Sequence, residues 1–217
     1  MEIKIRKNVL DRNKNKANEV RALLKEKNVL MVNMISSPGA GKTTLLEKTL
    51  ENLKDRFKIA VIEGDITTDR DAQRLKGHGV PIVVINTEGG CHLDSHSISK
   101  VIPEFNLDKL DIIFVENVGN LVCPSHFDLG ESFKLALVST TEGDDKPIKY
   151  PMLFREAKVI LLNKIDLIEY TNFNKSSFKV DLNNVNGKVP LMEISCTKNI
   201  GMSQWYTWIS NQITSKS

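Results

Sequence analysis

The chain has 217 residues, of which 41% are hydrophobic and 26% are charged, and its formal net charge is +3. This composition is ordinary for a folded protein with a sizeable core, and so small a charge gives no indication of nucleic-acid binding. With no transmembrane segment or secretory signal visible, and with three cysteines that make no disulfide framework, we expect a cytoplasmic protein that is not inserted in a membrane and keeps its thiols reduced.

Helix-length segments alternate with short apolar runs along the chain. Asp11 is predicted to cap a first helix that extends to Lys27 and places Ala17, Val20, Leu23 and Leu24 on one face. Further helices are predicted at 43–54, 69–77, 94–102, 151–156 and 202–213. Strands are predicted at 29–35, 58–63, 80–85, 111–115, 134–139, 158–163 and 190–194.

These strands are continuous apolar runs, which suits strands that are buried on both faces. Their alternation with helices predicts an α/β fold, with a mostly parallel, doubly wound sheet of about seven strands and helices on both faces. We expect a single domain over residues 1–217, with residues 1–28 as an N-terminal helical extension. The Asn- and Ser-rich residues 171–188 are predicted to form a mobile surface insertion.

Residues 36–43, Ser-Ser-Pro-Gly-Ala-Gly-Lys-Thr, lie between a predicted strand and a predicted helix. This is the context of a phosphate-binding loop, in which backbone N–H groups and the helix dipole surround a polyphosphate. Lys42 is expected to reach the β- and γ-phosphates, and the Thr43 hydroxyl to bind Mg²⁺. The predicted nucleotide-binding residues of this segment are Ser37, Pro38, Gly39, Ala40, Gly41, Lys42, Thr43 and Thr44.

Ser36 departs from the usual pattern, which has glycine at the first position of the loop. A serine adopts a positive φ only at a cost in free energy. Nucleotide binding is therefore expected to survive if Ser36 has an ordinary β-region backbone.

Asn163-Lys164-Ile165-Asp166 follows a late strand and indicates guanine recognition. The Asp166 carboxylate can accept hydrogen bonds from N1–H and the 2-amino group of guanine, which adenine cannot donate in that arrangement. Lys164 can lie along the base plane, and Asn163 can brace the loop. Ser195 and Cys196 follow the next strand and resemble the GTPase loop that closes over the guanine O6, although packing alone also explains a buried Cys196.

Acidic residues end two further predicted strands, at Asp65 and Glu116. Together with Thr43 they are predicted to bind Mg²⁺, and Lys42, Asp65 and Glu116 are the predicted catalytic residues. Gly119 is expected to contact the γ-phosphate through its backbone. A helix N-terminus sufficiently explains the nearby Asp69 and Asp71.

A second metal site is predicted from Cys91, His92 and Cys123, which lie in loops that follow strands at the nucleotide edge. Two thiolates and an imidazole suit Ni²⁺ or Zn²⁺. Such residues in strand-end loops are also often structural. Three donors are fewer than a closed site needs, so either His96 or His126, or pairing of two sites across a two-fold axis, would complete it.

Together these residues resemble the hydrogenase nickel-incorporation GTPases of the HypB family. The matching strings are Ser-Pro-Gly-Ala-Gly-Lys-Thr at 37–43, Glu-Gly-Asp-Ile at 63–66, Gly-Gly-Cys-His-Leu-Asp at 89–94, Glu-Asn-Val-Gly-Asn-Leu-Val-Cys-Pro at 116–124, Thr-Glu-Gly-Asp-Asp-Lys-Pro at 141–147 and Asn-Lys-Ile-Asp at 163–166.

The resemblance implies a P-loop GTPase of the SIMIBI class that hydrolyses GTP and forms a GTP-dependent homodimer. It also implies nickel delivery to the large subunit of [NiFe]-hydrogenase together with a HypA-type metallochaperone. The family's Cys-His-plus-Cys metal site corresponds to Cys91, His92 and Cys123. Residues 1–30 contain no Cys or His, so the N-terminal metal storage of some family members is not expected.

Two other functions remain open. A urease-type nickel GTPase usually carries Cys-Pro-His, whereas this chain has Cys91-His92 and Cys123-Pro124-Ser125. A zinc-regulated scaffold would bind nucleotide without useful turnover. Lys146 and Lys149 are either contacts to a partner's nucleotide or solvated loop charges.

Overall fold

A computed structural model describes residues 2–65 and 74–215, without the side chains of residues 2–10 and 65. Within these ranges a seven-stranded sheet has the order β3-β2-β4-β1-β5-β6-β7, and each neighbouring pair is parallel. The strands are β1 (Leu30–Ser36), β2 (Ile59–Asp65), β3 (Ile82–Asn86), β4 (Ile112–Glu116), β5 (Phe133–Ser139), β6 (Ala157–Asn163) and β7 (Leu191–Glu193). The predicted α/β fold with a parallel, seven-stranded sheet is confirmed.

Helices connect most of these strands. They are α1 (Glu2–Glu26), α2 (Lys42–Leu53), α3 (Ser95–Val101), α4 (Cys123–His126), α5 (Lys146–Lys149), α6 (Pro151–Glu156), α7 (Lys175–Asn186) and α8 (Met202–Thr214), with 3₁₀ segments at Ile102–Glu104, Leu107–Lys109 and Ile165–Tyr170. The helix predicted at 69–77, with Asp69 and Asp71, lies outside the described residues up to residue 73. Among the helices described, none combines the length and the apolar character needed to cross a membrane.

Side chains of β1 pack on both faces of the sheet, which explains its uninterrupted apolar sequence. Val32 and Met34 belong to a core with residues of α2 and α8. Met31 belongs to a second core with Val20 and Leu24 of α1. Because β1 lies between β4 and β5 at the centre of the sheet, the loop that follows it reaches the middle of the carboxyl edge, where doubly wound folds bind ligands.

The predicted start of the first helix at Asp11 is wrong. Helix α1 begins at Glu2, and Asp11 is an exposed residue inside it. Residues 2–10 are mostly good helix formers, so the helix continues through Asp11 without needing a cap there. Leu23 is 36% exposed, and the buried stripe therefore consists of Ala17, Val20 and Leu24.

Residues 171–188 are not a mobile insertion, because most of them form α7. The Asn174 side chain caps this helix by accepting a hydrogen bond from Ser177 N at 3.0 Å. Phe178 and Leu182, one helical turn apart, are buried. Phe178 makes edge and tilted ring contacts with Phe154 and Phe173, so this segment is part of the core.

Candidate functional site

The phosphate loop joins the end of β1 to the start of α2. Gly39 and Gly41 have φ values of +75° and +101°, a region that glycine enters without strain. A side chain at Gly41 would also come within 2.6 Å of the Asn163 amide nitrogen. Two glycines are therefore required by backbone conformation, and one of them by space as well.

Ser36 is the last residue of β1 and is fully buried in an extended strand. Ser36 therefore has the ordinary β-region backbone under which serine can replace the usual glycine without strain. The Ser36 hydroxyl accepts a hydrogen bond from Lys42 Nζ at 2.9 Å and donates one to Ser37 O at 2.7 Å. The serine thus adds a partner for the loop lysine.

A cavity of about 480 Å³ opens over this loop, a size suited to a small-molecule ligand. Its lining combines segments that are distant in sequence: Pro38, Gly39, Gly41, Lys42, Thr43, Thr44, Glu63, Gly64, Arg74, Glu116, Asn117, Val118, Gly119 and Lys164. Lys42, Lys164 and Arg74 supply positive charge, which suits a polyphosphate. Arg74 donates to the Thr44 hydroxyl at 3.1 Å, at the start of α2.

Asn163 connects the phosphate loop to the segment 195–197. Its amide donates to Ala40 O at 2.9 Å, and its carbonyl oxygen accepts from Cys196 N at 3.2 Å. Lys164 has a left-handed backbone, with φ of 60°, and its ammonium donates to Gly39 O at 2.7 Å. These bonds fix the phosphate loop, the 163–166 segment and the 195–197 segment relative to one another.

Asp166 is half-buried and accepts no hydrogen bond from the described part of the chain, so its carboxylate is available as an acceptor. Ser195 is buried and bonded locally, accepting from Lys198 N at 3.2 Å. Burial raises the pKa of the Cys196 thiol to about 12, which makes it an unreactive packing residue rather than a metal ligand.

Two of the three predicted Mg²⁺ ligands, Thr43 and Glu116, meet at the start of α2. Thr43 donates to the Glu116 carboxylate at 2.8 Å, and both residues are buried. A hydroxyl and a carboxylate are hard oxygen donors of the kind that Mg²⁺ prefers, so these residues fit the ion. Asp65 ends β2, but its side chain lies outside the described residues.

Sequence reasoning missed Glu63 as a site residue. Glu63 pairs with Glu116 across β2 and β4, and it is buried while lining the cavity. Paired residues of neighbouring parallel strands face the same side about 5 Å apart. The signal was an acidic residue inside a buried strand, which the sequence could have revealed.

Gly119 lies close to the phosphate loop. A Cβ atom there would be 3.0 Å from Pro38 Cγ and 3.1 Å from its backbone, so a larger residue would require Pro38 to shift by a few tenths of an ångström. The loop that follows β4 therefore covers the phosphate loop directly.

Cys91, His92 and Cys123 come together as predicted from the sequence. Their donor atoms lie within 4.8 Å of one another, and Cys91 Sγ is 3.4 Å from His92 Nδ1. Two such donors in a tetrahedral zinc site are separated by about 3.6 Å, so this spacing is compatible with a shared ion. His96 and His126 are exposed and do not belong to this group of described residues.

The surroundings favour neutral donors before a metal binds. Partial burial, with the His92 ring 3.8 Å from that of Phe127, lowers the pKa of His92. A neutral imidazole is the form that binds metals. The neighbouring Cys123 thiol raises the pKa of Cys91 through a shared hydrogen bond, so metal binding there releases a proton.

Two asparagines join the loops that carry these ligands. Asn117 Oδ1 accepts from Leu93 N at 3.1 Å, one residue after His92. Asn120 Nδ2 donates to Cys91 O at 3.3 Å. The segment from Glu116 to Cys123 therefore contacts both the phosphate loop and the Cys91-His92 loop.

Lys146 and Lys149 differ in their surroundings. Lys146 lies beside the phosphate loop, where its ammonium donates to Ser37 Oγ at 3.3 Å and pairs with Glu142 at 3.1 Å. Lys149 is largely exposed and pairs with Asp145. Of the two, Lys146 is the one placed near the nucleotide cavity.

Comparisons with known proteins agree with this arrangement. A family profile described as CobW/HypB/UreG, nucleotide-binding domain, matches residues 30–193. The hydrogenase maturation factor HypB of Escherichia coli K12 is 48% identical over 94% of this chain and 70% of its own length.

Two solved structures share the fold over nearly the whole chain. HypB from Archaeoglobus fulgidus has a TM-score of 0.88 and 34% identity, covering 94% of this chain and 99% of its own. HypB from Helicobacter pylori in complex with nickel has a TM-score of 0.87 and 35% identity, with coverage of 94% and 95%. The chain therefore belongs to the CobW/HypB/UreG family of nucleotide-binding proteins, within its HypB branch.

Proposed function

We propose that this protein is a GTP hydrolase in which nucleotide and nickel (or zinc) binding are coupled, and that it assists nickel insertion into [NiFe]-hydrogenase. One observation carries the proposal. The segment 116–123 begins at Glu116, which is bonded to the phosphate-loop Thr43, and ends at Cys123, in the Cys-His-Cys group. This segment therefore gives a short covalent connection between the phosphate loop and the Cys-His-Cys group.

The phosphate loop and the start of α2 would bind the triphosphate. The backbone N–H groups there have a favourable dipole orientation for phosphate oxygens. Lys42 would exchange its bond to the Ser36 hydroxyl for bonds to the β- and γ-phosphates. Gly119, already against Pro38, would offer its N–H to the γ-phosphate.

Guanine selection falls to Asp166. Its available carboxylate would accept from N1–H and the 2-amino group, while Asn163 holds the segment against the phosphate loop. Lys164 would lie along the base. A site built on such bonds discriminates strongly, because another base leaves the carboxylate without its partners.

Thr43 and Glu116, with Asp65, would hold Mg²⁺. When bound, Mg²⁺ neutralises charge on the β- and γ-phosphate oxygens. Glu63, adjacent to Glu116 in the sheet, is a further carboxylate able to orient water at this position. Hydrolysis then depends mainly on positioning and on positive charge from Lys42.

Nickel or zinc would bind Cys91, His92 and Cys123. Since the described residues add no fourth protein donor to this group, water or a second copy of the chain would complete it. We propose a GTP-dependent homodimer, and a HypA-type metallochaperone and the hydrogenase large subunit as partners. The HypB name of its relatives and the nickel complex of one of them support this assignment.

Two measurements test the proposal. GTP hydrolysis by the full chain should be abolished by Lys42→Ala and unaffected by Lys48→Ala, whose side chain pairs with Glu51 on the surface of the same helix. Phosphate release that persists in Lys42→Ala would favour a scaffold without useful turnover. Nickel titrations with GDP and with a non-hydrolysable GTP analogue should give different affinities, and equal affinities with equal dimerisation would overturn the coupling.

A further inference from the structure

The two loops that carry the metal ligands are tied together by buried polar side chains beneath the site. Starting next to His92, Leu93 N donates to Asn117 Oδ1, and Asn117 Nδ2 donates to Asn33 Oδ1 at 3.1 Å. Asn33 Nδ2 then donates to Glu131 Oε1 at 3.3 Å, and Glu131 Oε2 accepts from Leu129 N at 2.7 Å. This chain of bonds ends six residues after Cys123.

A second connection between the same loops comes from helix α1. Asn13 Oδ1 accepts from Ser95 N at 3.0 Å. The Ser95 hydroxyl lies 2.8 Å from both Asn13 Oδ1 and Asn13 O and can donate to one of them. The same carboxamide donates through Nδ2 to Asp128 O at 2.9 Å. Ser95 is three residues after His92, and Asp128 is five residues after Cys123, so one side chain joins both ligand-bearing segments.

We propose that Asn13 is a positioning residue of the metal site, holding the Cys91-His92 loop in register with the Cys123 loop before metal binds. This inference rests on the proposed metal site and extends it to helix α1, which contributes no ligand. A carboxamide is suited to the task because it accepts from one loop and donates to the other with a single group.

The physical reason is preorganisation. Cys91 is exposed on a loop, and its donor must be held near those of His92 and Cys123 for a metal to bind all of them at little cost in conformational entropy. The series of hydrogen bonds through Asn117 joins the two loops by way of β1, and Asn13 joins them from helix α1. Loss of the Asn13 side chain leaves the hydrogen bonds through Asn117, Asn33 and Glu131 in place. The fold should therefore survive, while the two ligand-bearing loops become less firmly positioned relative to each other.

The test is the affinity of the full chain for Ni²⁺ alone, measured by competition with a chelating indicator, together with thermal unfolding of the metal-free protein. We expect Asn13→Ala to weaken nickel binding about tenfold, the lower end of the 10–100-fold loss that follows removal of groups which directly orient metal ligands. The thiolate-to-nickel charge-transfer absorption should change in the same variant. A solely structural role would lower the unfolding temperature and leave both metal readouts unchanged.

Two matched controls sharpen this experiment. Asn15→Ala is the same substitution on the same helix, at an exposed residue whose side chain has no hydrogen-bond partner among the described residues, and should stay within about twofold of the native affinity. Thr49→Val removes the acceptor of the buried Trp205 indole N–H, far along the chain from both loops. It should lower stability without weakening nickel binding.

Each outcome decides the matter. Native affinity in Asn13→Ala, or equal weakening in Thr49→Val, overturns the role of Asn13. If the native chain binds Ni²⁺ no better than a triple variant Cys91→Ser, His92→Ala, Cys123→Ser, the proposed metal site fails and the inference fails with it. Nickel binding that is lost in the triple variant but kept in Asn13→Ala overturns the inference alone.

Discussion

Replacing Asn163 with alanine should weaken both the fold and nucleotide binding, because this side chain connects the phosphate loop to the loop at 195–197. Two groups lose their partners, Ala40 O and Cys196 N. Both lie in residues that are no more than 2% exposed. An unpaired buried polar group costs roughly 1–3 kcal/mol, so we expect the loss of two such partners to lower the free energy of unfolding by about 2–6 kcal/mol.

The assay is urea unfolding of the nucleotide-free chain, followed by titration with fluorescent GTP and GDP analogues. Thermal unfolding provides a second measure of the same loss, since each kcal/mol corresponds to roughly 2–4 °C in melting temperature for a chain of this size. Asn186→Ala is the matched control, since that carboxamide also makes two hydrogen bonds, to Phe154 O and Arg155 O, on the outer helix α7. It should cost stability without weakening nucleotide binding.

Nucleotide affinities for Asn163→Ala equal to those of the native chain would refute the reasoning, since the three loops would then keep their positions without this side chain. So would a free energy of unfolding within about 0.5 kcal/mol of native, which is the ordinary scatter of neutral substitutions.

Further outcomes follow from the same geometry. Asp166→Asn should reduce GTP affinity at least about 100-fold and favour xanthosine triphosphate in competition binding; unchanged preference would remove Asp166 from base selection. Glu63→Gln should slow Mg²⁺-dependent hydrolysis at least about tenfold in a phosphate-release assay, and a native rate would dismiss the second carboxylate. Phe178→Ala should cost about 3–5 kcal/mol in urea unfolding, whereas a mobile segment would show no change. Lys146→Ala should reduce GTP-dependent dimerisation in sedimentation while Lys149→Ala does not, and equal behaviour of the two would contradict their different placement.

The strands and the phosphate loop were predictable because their signals are local. Continuous apolar runs such as 29–35 and the glycines at 39 and 41 each indicate structure without knowledge of the rest of the chain. The predicted strands agree with the observed ones to within about two residues at each end, which is the usual uncertainty of element boundaries. The convergence of Cys91, His92 and Cys123 followed from one topological rule, since loops after parallel strands share an edge.

What failed depended on competition between signals. Asp11 is a good capping residue, yet the residues before it also favour a helix, and propensity over a longer stretch prevailed. In 171–188 the abundance of Asn and Ser obscured the helical spacing of Phe178 and Leu182. Glu63 was overlooked because Asp65 ends the same strand, although an acidic residue inside an apolar strand was a signal in the sequence, and the register with Glu116 then places its carboxylate at the site.

The approach of Gly119 to Pro38 suggests how a nucleotide at the phosphate loop would affect metal binding. With only 3.0 Å between Pro38 Cγ and the place of a Cβ at Gly119, the γ-phosphate contact proposed for Gly119 would act directly on the segment 116–123. Asn117 fixes one end of this segment to the sheet through Asn33, so displacement is confined to the part that leads to Cys123. If GTP and GDP hold the stretch that leads to Cys123 in different positions, and one position suits the metal better, the metal affinities of the GTP-bound and GDP-bound protein must differ. By linkage, bound metal must change the relative affinity for GTP and GDP by the same factor.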